Sequence, residues 1–355
     1  MTALKQKLLT LIGAQGPITV AQYIQLALSD PEHGYYMRSD PLGRDFITAP
    51  EVSQIFGELI GLFLVQAWED GGAPARFDLV ELGPGRGTLM ADALRAASVR
   101  PAFLAGAQVT LVETSPALRR LQAQTLASYP VRWADRFEDL HDEVPLFLVA
   151  NEFFDALPIR QFVKSARGWH ERMVAADTGV LRFAMTPDAV PSTIIPERLA
   201  GAEAGAVFEV NPAAMAIARQ IGVRVAKTGG VALAFDYGHA ASGTGETLQA
   251  VKEHRYVDVL DAPGEADLTA HVDFALLGQA ARIAGAEVFG PVTQGQFLED
   301  LGIRLRAQSL KQKSPEHAGD IDAGVERLIG PEEMGTLFKV AAIAGRNIDS
   351  LPGFL

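Results

Sequence analysis

The chain has 355 residues, no cysteine and a formal net charge of -12. The missing thiols exclude disulfides, cysteine-ligated zinc and a thiol nucleophile, and they fit a reducing compartment. The acidic balance speaks against nucleic acid, which needs a cationic footprint, while 48% hydrophobic residues suffice for a large core in one big domain or two modest ones.

No apolar run approaches the roughly 20 residues of a membrane helix. The N-terminus, MTALKQKLLTLIGAQGP, carries two lysines but no A-x-A-like cleavage site, so it reads as an amphipathic first helix of a cytoplasmic protein. Helices are expected at about 3–14 and 19–29. The segment DPEHGYYMRSDPLGRDFITAPEVSQ is irregular, and loops of this length are uncommon unless functional or disordered. Its aromatics, Tyr35, Tyr36 and Phe46, argue against disorder and suggest a lid or pocket wall, with a pinned surface loop as the plainer alternative. Thr48-x-x-Glu51 has the form of a capping box that would start a helix running through Trp68.

Strands and helices then alternate. RFDLVEL reads as a strand, followed by a glycine turn and the helix TLMADALRAA. AQVTLVE is a second strand, and Ser115-Pro116 opens another helix. VRW and PLFLVA make a third and fourth strand. Short apolar runs alternating with helices predict an α/β fold, a parallel sheet covered on both faces. Antiparallel strands over Arg160–Met185 interrupt the pattern, with a turn at Arg167-Gly168. A helix capped by Asn211, the strand GGVALAFDYGH, a further helix and strand in HVDFALLGQAARIAGAEVFGPV, a charged helical stretch at about 294–334 and the strand LFKVAAIAG complete the chain.

Two places carry chemistry. ELGPGRGTL puts Gly83, Gly85 and Gly87 between the first strand and its helix, where a ligand can approach the main chain and the helix N–H groups. Glu81 ends the first strand and Glu113 the second, and an acid at the second position can accept both ribose hydroxyls of a nucleoside. The G-x-G-x-G spacing and the distance to Glu113 disfavour a dinucleotide. An amino-acid-bearing nucleoside such as S-adenosylmethionine (SAM) fits better, with Glu81 beside its ammonium group and Asp135 within reach of the adenine amino group. Taken alone, the turn is equally a tight βα connection and Asp135 an ordinary loop acid. The second place is NEFFDALP, which sets Asn151, Glu152 and Asp155 just after the fourth strand.

DFITAPEVSQIFGE, ELGPGRGTL, ANEFFDALP, DYGH and DLTAHVDF occur together and in this order, over about 17 to 290. In these the chain resembles the MidA-like family of class I SAM-dependent methyltransferases, whose mitochondrial members are complex I assembly factors that methylate arginine in a core subunit. The resemblance implies a Rossmann-like sheet of seven strands with an N-terminal helical cap and a small inserted β region. The boundaries it suggests are 1–70 for the cap and lid loop, 71–158 and 210–355 for the two parts of the sheet domain, and 159–209 for the insertion. SAM contacts carry over to Gly83, Gly85, Gly87 and Glu113, and an adenine contact to Asp135. Arg44 stands before Asp45 where the family usually has glycine.

An arginine acceptor arrives charged, with a pKa of about 12.5–13.8. Carboxylates can hold it bidentately and take its proton. Glu152 is expected in that role, Asp155 as its partner, and Asn151 at the substrate or the amino-acid part of SAM. The plainer alternative makes Glu152 a helix cap. Asp236, Tyr237 and His239 end the fifth strand, and His271 precedes the next helix, where a histidine can bind substrate or shuttle a proton. Tyr35, Tyr36 and Phe46 would close over the cofactor. The expected function is protein arginine methylation, the partner that the resemblance implies is a complex I (NADH dehydrogenase) core subunit, and no metal is expected. A SAM-binding assembly chaperone and a small-molecule methyltransferase stay open as alternatives, and an NAD-dependent dehydrogenase is disfavoured. Oligomeric state is not legible.

Overall fold

A computed structural model describes residues 2–38, 47–141 and 143–354. They fall into two compact units: 2–38, 155–214 and 241–273 form one, and 47–154, 215–240 and 274–354 the other.

The second unit contributes seven strands to its main sheet, numbered here β1 Phe77–Leu82, β2 Ala107–Val112, β3 Val131–Ala134, β4 Leu146–Asn151, β5 Gly230–His239, β6 Glu287–Thr293 and β7 Phe338–Ala344. Their order across the sheet is β6-β7-β5-β4-β1-β2-β3. The five from β5 to β3 are parallel, while β7 runs antiparallel to β5 and β6 antiparallel to β7. Every residue of β1 and of β4 is buried, as expected for strands covered on both faces. Alternate residues point to one face. On one such face Phe77, Leu79, Phe147, Val149, Leu233 and Phe235 join a single apolar core.

That core includes nine residues of helix Gln54–Asp70, from Ile55 to Trp68. Gly57 and Gly61 let it lie against helix Thr88–Ala97: a Cβ on Gly61 would stand 2.6 Å from the Ala93 Cα, and one on Gly57 2.6 Å from the Asp92 Cβ. The expected single helix from Thr48 to Trp68 is two. Thr48 makes no side-chain cap, the short helix Ala49–Val52 ends at the extended Ser53, and the Ser53 hydroxyl accepts from the Ile55 N–H to start the long helix. The charged stretch after β6 is helical as read, with helices Gln294–Asp300, Ile303–Lys313, Ala318–Ile329 and Met334–Leu337.

The other unit holds the expected antiparallel strands, Arg160–Ser165, Gly168–Asp177 and Val180–Met185, extended by Val207–Val210 and Ile18–Thr19. A three-stranded sheet, Gln249–Lys252, Arg255–Val257 and Asp267–Thr269, has no counterpart in the sequence reading. Helices Ala3–Gln15 and Val20–Ser29 supply Leu4, Leu8, Tyr23 and Ile24 to this unit's own core.

Within the sheet unit, Glu58 is 2% exposed and binds two guanidinium groups: Arg95 at 2.5 Å and Arg306 at 2.7 Å. Burial alone would raise its pKa, but the hydrogen bonds from Arg306 and Arg95 hold it below the ordinary carboxylate value. A depressed carboxylate stabilises the fold above its unfolded pKa of about 4.3, and that contribution is lost as pH falls through the folded value. Glu58→Gln is therefore expected to lower unfolding stability at pH 7 by about 2 kcal/mol. The gap to the parent should close below about pH 4 in urea titrations.

Candidate functional site

Parallel strands deliver their carboxyl ends to one edge, and that edge is where doubly wound sheets bind ligands. In register, Leu82 stands beside Val112 and Ala150, and Asn151 beside Phe235. Four acids follow from this: Glu81 in β1, Glu113 after β2, Glu152 after β4 and Asp236 in β5.

Gly83, Gly85 and Gly87 all take positive φ, at 63°, 52° and 81°. Side chains rarely tolerate this region, so the turn needs glycine. Gly87 is the left-handed N-cap of helix Thr88–Ala97. Phe153 covers the turn, since a Cβ on Gly83 would meet its ring at 2.9 Å.

Beneath the turn, Glu81 is 3% exposed, and its Oε2 has no hydrogen-bond partner among the described residues. Burial pushes its pKa up to about 8, opposed only by a hydrogen bond from the Met90 backbone. A buried, half-satisfied carboxyl is costly, and an ammonium group would satisfy it. Asn151 is also buried: its amide nitrogen donates to Glu152 Oε1 at 3.1 Å, while its Oδ1 has no partner among the described residues.

Glu113 is 9% exposed and raised by burial, against hydrogen bonds from Ser115, Gln122 and Thr114 and the charge of Arg119. The Ser115 N–H donates to its Oε1 at 2.7 Å and the Gln122 amide to its Oε2 at 3.3 Å. Gln122 is fully buried, donates to the Gly85 carbonyl at 2.7 Å and accepts from the Trp133 indole at 2.8 Å. It thereby locks the glycine turn, Glu113 and β3 together. Nothing in the sequence marks it, beyond being a polar residue on a buried helical stripe. Asp135 has a side chain 71% exposed and paired with Arg119 at 2.7 Å; Arg119 also caps the carbonyls of Glu113 and Ala134.

Glu152 takes φ 52°, outside the usual range for a residue with a Cβ. Its N–H donates to the Phe235 carbonyl at 2.9 Å, and its Oε1 accepts from the Ala49 N–H at 3.0 Å. It does act as a cap, but for the earlier helix Ala49–Val52. Asp236 is fully buried and accepts from the N–H groups of Phe154 and Tyr237, so it shapes the segment that carries Glu152. Tyr237 rests edge-on to Phe338 and His239 closes β5.

Asp155, His271, Tyr35 and Tyr36 belong to the other compact unit. There the Tyr36 hydroxyl donates to Asp267 at 2.7 Å, and burial, with the charges of Asp267 and Asp155, pushes its pKa well up. Tyr35 meets Tyr36 edge to face, the Asp155 carbonyl accepts from the Ala270 N–H, and the His271 N–H donates to the Thr247 hydroxyl. Phe46 lies outside the described residues.

Comparison with known proteins matches residues 59–292 to a family described as putative S-adenosyl-L-methionine-dependent methyltransferases. A mouse protein named mitochondrial protein arginine methyltransferase NDUFAF7 is 40% identical over 97% of this chain and 84% of its own length. Its human counterpart is 38% identical over 97% and 83%. A crystal structure of a candidate methyl transferase from Burkholderia thailandensis, bound to S-adenosyl-homocysteine, superposes with TM-score 0.86 at 32% identity, covering 99% of this chain and 94% of that one. These findings overturn one expectation: the relatives are named mitochondrial, so the cytoplasmic assignment does not stand.

Glu81 yields a test with opposite signs. A carboxyl whose folded pKa is raised loses stability as pH climbs from about 4.3 to about 8, because folding then requires its protonation. Glu81→Gln should therefore resist denaturant better than the parent at pH 8 and about equally at pH 4. Calorimetry should meanwhile show weaker S-adenosyl-homocysteine binding. Weaker binding without the stability gain would mean that Glu81 is not a buried, strained acid.

Proposed function

The chain belongs to the family of S-adenosyl-L-methionine-dependent methyltransferases, and from that premise we propose that it methylates arginine in a protein, with Glu152 receiving the guanidinium. The carrying observation is Glu152 itself. Strained backbone persists where function requires it, and this carboxylate is held at positive φ beside the glycine turn.

The donor set fits the cofactor. Glu81 and Asn151 have buried oxygens suited to its ammonium and amino-acid groups, Glu113 suits two ribose hydroxyls, and the glycines let it approach the main chain. When bound, SAM supplies an electrophilic methyl group on a sulfonium. Glu152 would hold two guanidinium N–H groups, direct electron density to the remaining nitrogen and accept the proton released on transfer. Asn151 orients that carboxylate through its amide. Asp155 and His271 keep the supporting roles that the sequence suggests, Asp236, Tyr237 and His239 that of substrate contacts, and Asp135 that of an adenine contact. The names of the relatives support arginine as the methylated residue. The family resemblance and the NDUFAF7 name support a complex I core subunit as the protein substrate.

Glu152→Gln keeps an oxygen for the Ala49 N–H but removes the charge. Affinity for S-adenosyl-homocysteine should stay within about threefold, while labelled-methyl transfer to a protein extract falls at least about 100-fold. Full transfer by the variant would refute the role of Glu152. Gly85→Val, forced to positive φ in the turn, should lose cofactor binding; unchanged affinity would make the turn merely structural.

A further inference from the structure

Glu51 does not complete the capping box that its spacing suggests. Its Oε1 accepts from the Thr88 hydroxyl at 2.6 Å, and its Oε2 lies 3.6 Å from the Arg86 guanidinium. Arg86 stands in the glycine turn, and Thr88 is the first residue of the helix that follows. At the start of the same short helix, Ala49 donates its N–H to Glu152. Helix Ala49–Val52 is thus tied to the cofactor turn by a side chain and to the acceptor carboxylate by a backbone amide. Helix Ala318–Ile329 backs it, with a Cβ on Gly324 standing 3.4 Å from the Val52 carbonyl and the Ser53 Cβ.

We infer that Glu51 is a positioning residue for methyl transfer: it registers helix Ala49–Val52 on the glycine turn, so that cofactor binding there fixes the orientation of Glu152. The inference rests on the reading of Glu152 given above. Four residues are too few to hold themselves in place, so the helix takes its position from these outer ties. Glu152, at φ 52°, has only its neighbours to keep it there. A cofactor that orders the turn also orders Thr88 and Arg86, and the charge-assisted hydrogen bond to Glu51 carries that order two residues back along the chain to the Ala49 amide. A simple staple between two helices would contribute to stability alone. A positioning residue separates turnover from cofactor affinity.

The experiment compares the full-length parent with Glu51→Ala and Glu51→Gln. S-adenosyl-homocysteine should slow amide hydrogen exchange over 49–52 in the parent and not in Glu51→Ala. In the same variant kcat should fall roughly 10- to 100-fold, the size of loss that a misplaced catalytic group causes, while affinity for S-adenosyl-homocysteine changes less than about threefold. Glu51→Gln, which still accepts from Thr88, should restore most of both. Unchanged kcat in Glu51→Ala, equal losses of turnover and affinity, or no cofactor-dependent protection in the parent would overturn the inference. Full activity of Glu152→Gln is a separate outcome. It would remove the reading of Glu152, and with it the route proposed for Glu51, even if Glu51→Ala were slow.

Discussion

Glu81 sets the terms for the rest of the sheet unit. A carboxyl is buried in β1, the middle one of the five parallel strands, its pKa is lifted to about 8, and one oxygen has no partner among the described residues. The fold tolerates this because the surrounding strands are apolar on both faces and anchored elsewhere, as by the Asp78–Arg224 pair. A protein gains nothing in stability from such a group. What it gains is a preformed place for a cation under a turn of three left-handed glycines. Glu113, held by Ser115 and Gln122, completes the nucleoside side of the same edge.

The second dependence is on strand register. Because β1, β2, β4 and β5 are parallel and in step, their carboxyl ends place Glu81, Glu113, Glu152 and Asp236 along one rim. These acids divide their work by environment. Asp236 accepts from backbone N–H groups and shapes the β4 exit. Glu152 is half-buried and strained, and it accepts from a side-chain amide and from a backbone amide, which are weaker partners for a carboxylate than a guanidinium.

Much of this was legible in the sequence, for identifiable reasons. Buried parallel strands read as unbroken apolar runs, so β1, β2, β4, β5 and β7 stood out. The glycines stood out because no other residue suits their φ. The short β3 was visible only by its place in the alternation. Four things were not legible. Gln122 sits on a helix whose pattern gives no hint that its amide faces the turn. Phe153 looks like any core aromatic, yet covers Gly83. Glu51 has the spacing of a capping box, and tertiary contacts with Thr88 and Arg86 took it away. The strands within 249–269 are short, polar at their ends and paired non-locally, so neither period nor turn chemistry announces them. The location expected from the N-terminus failed for a different reason: the missing cleavage site and cysteines carry little weight against relatives named mitochondrial.

The most direct test of the account is a structure of the chain with S-adenosyl-homocysteine and an arginine-containing acceptor peptide. The account predicts the cofactor's ammonium within hydrogen-bond distance of Glu81, its ribose hydroxyls on Glu113, and the acceptor guanidinium on the Glu152 carboxylate with one nitrogen turned towards the sulfur. A guanidinium bound away from Glu152, with that carboxylate still accepting from Ala49 and Asn151, would contradict it.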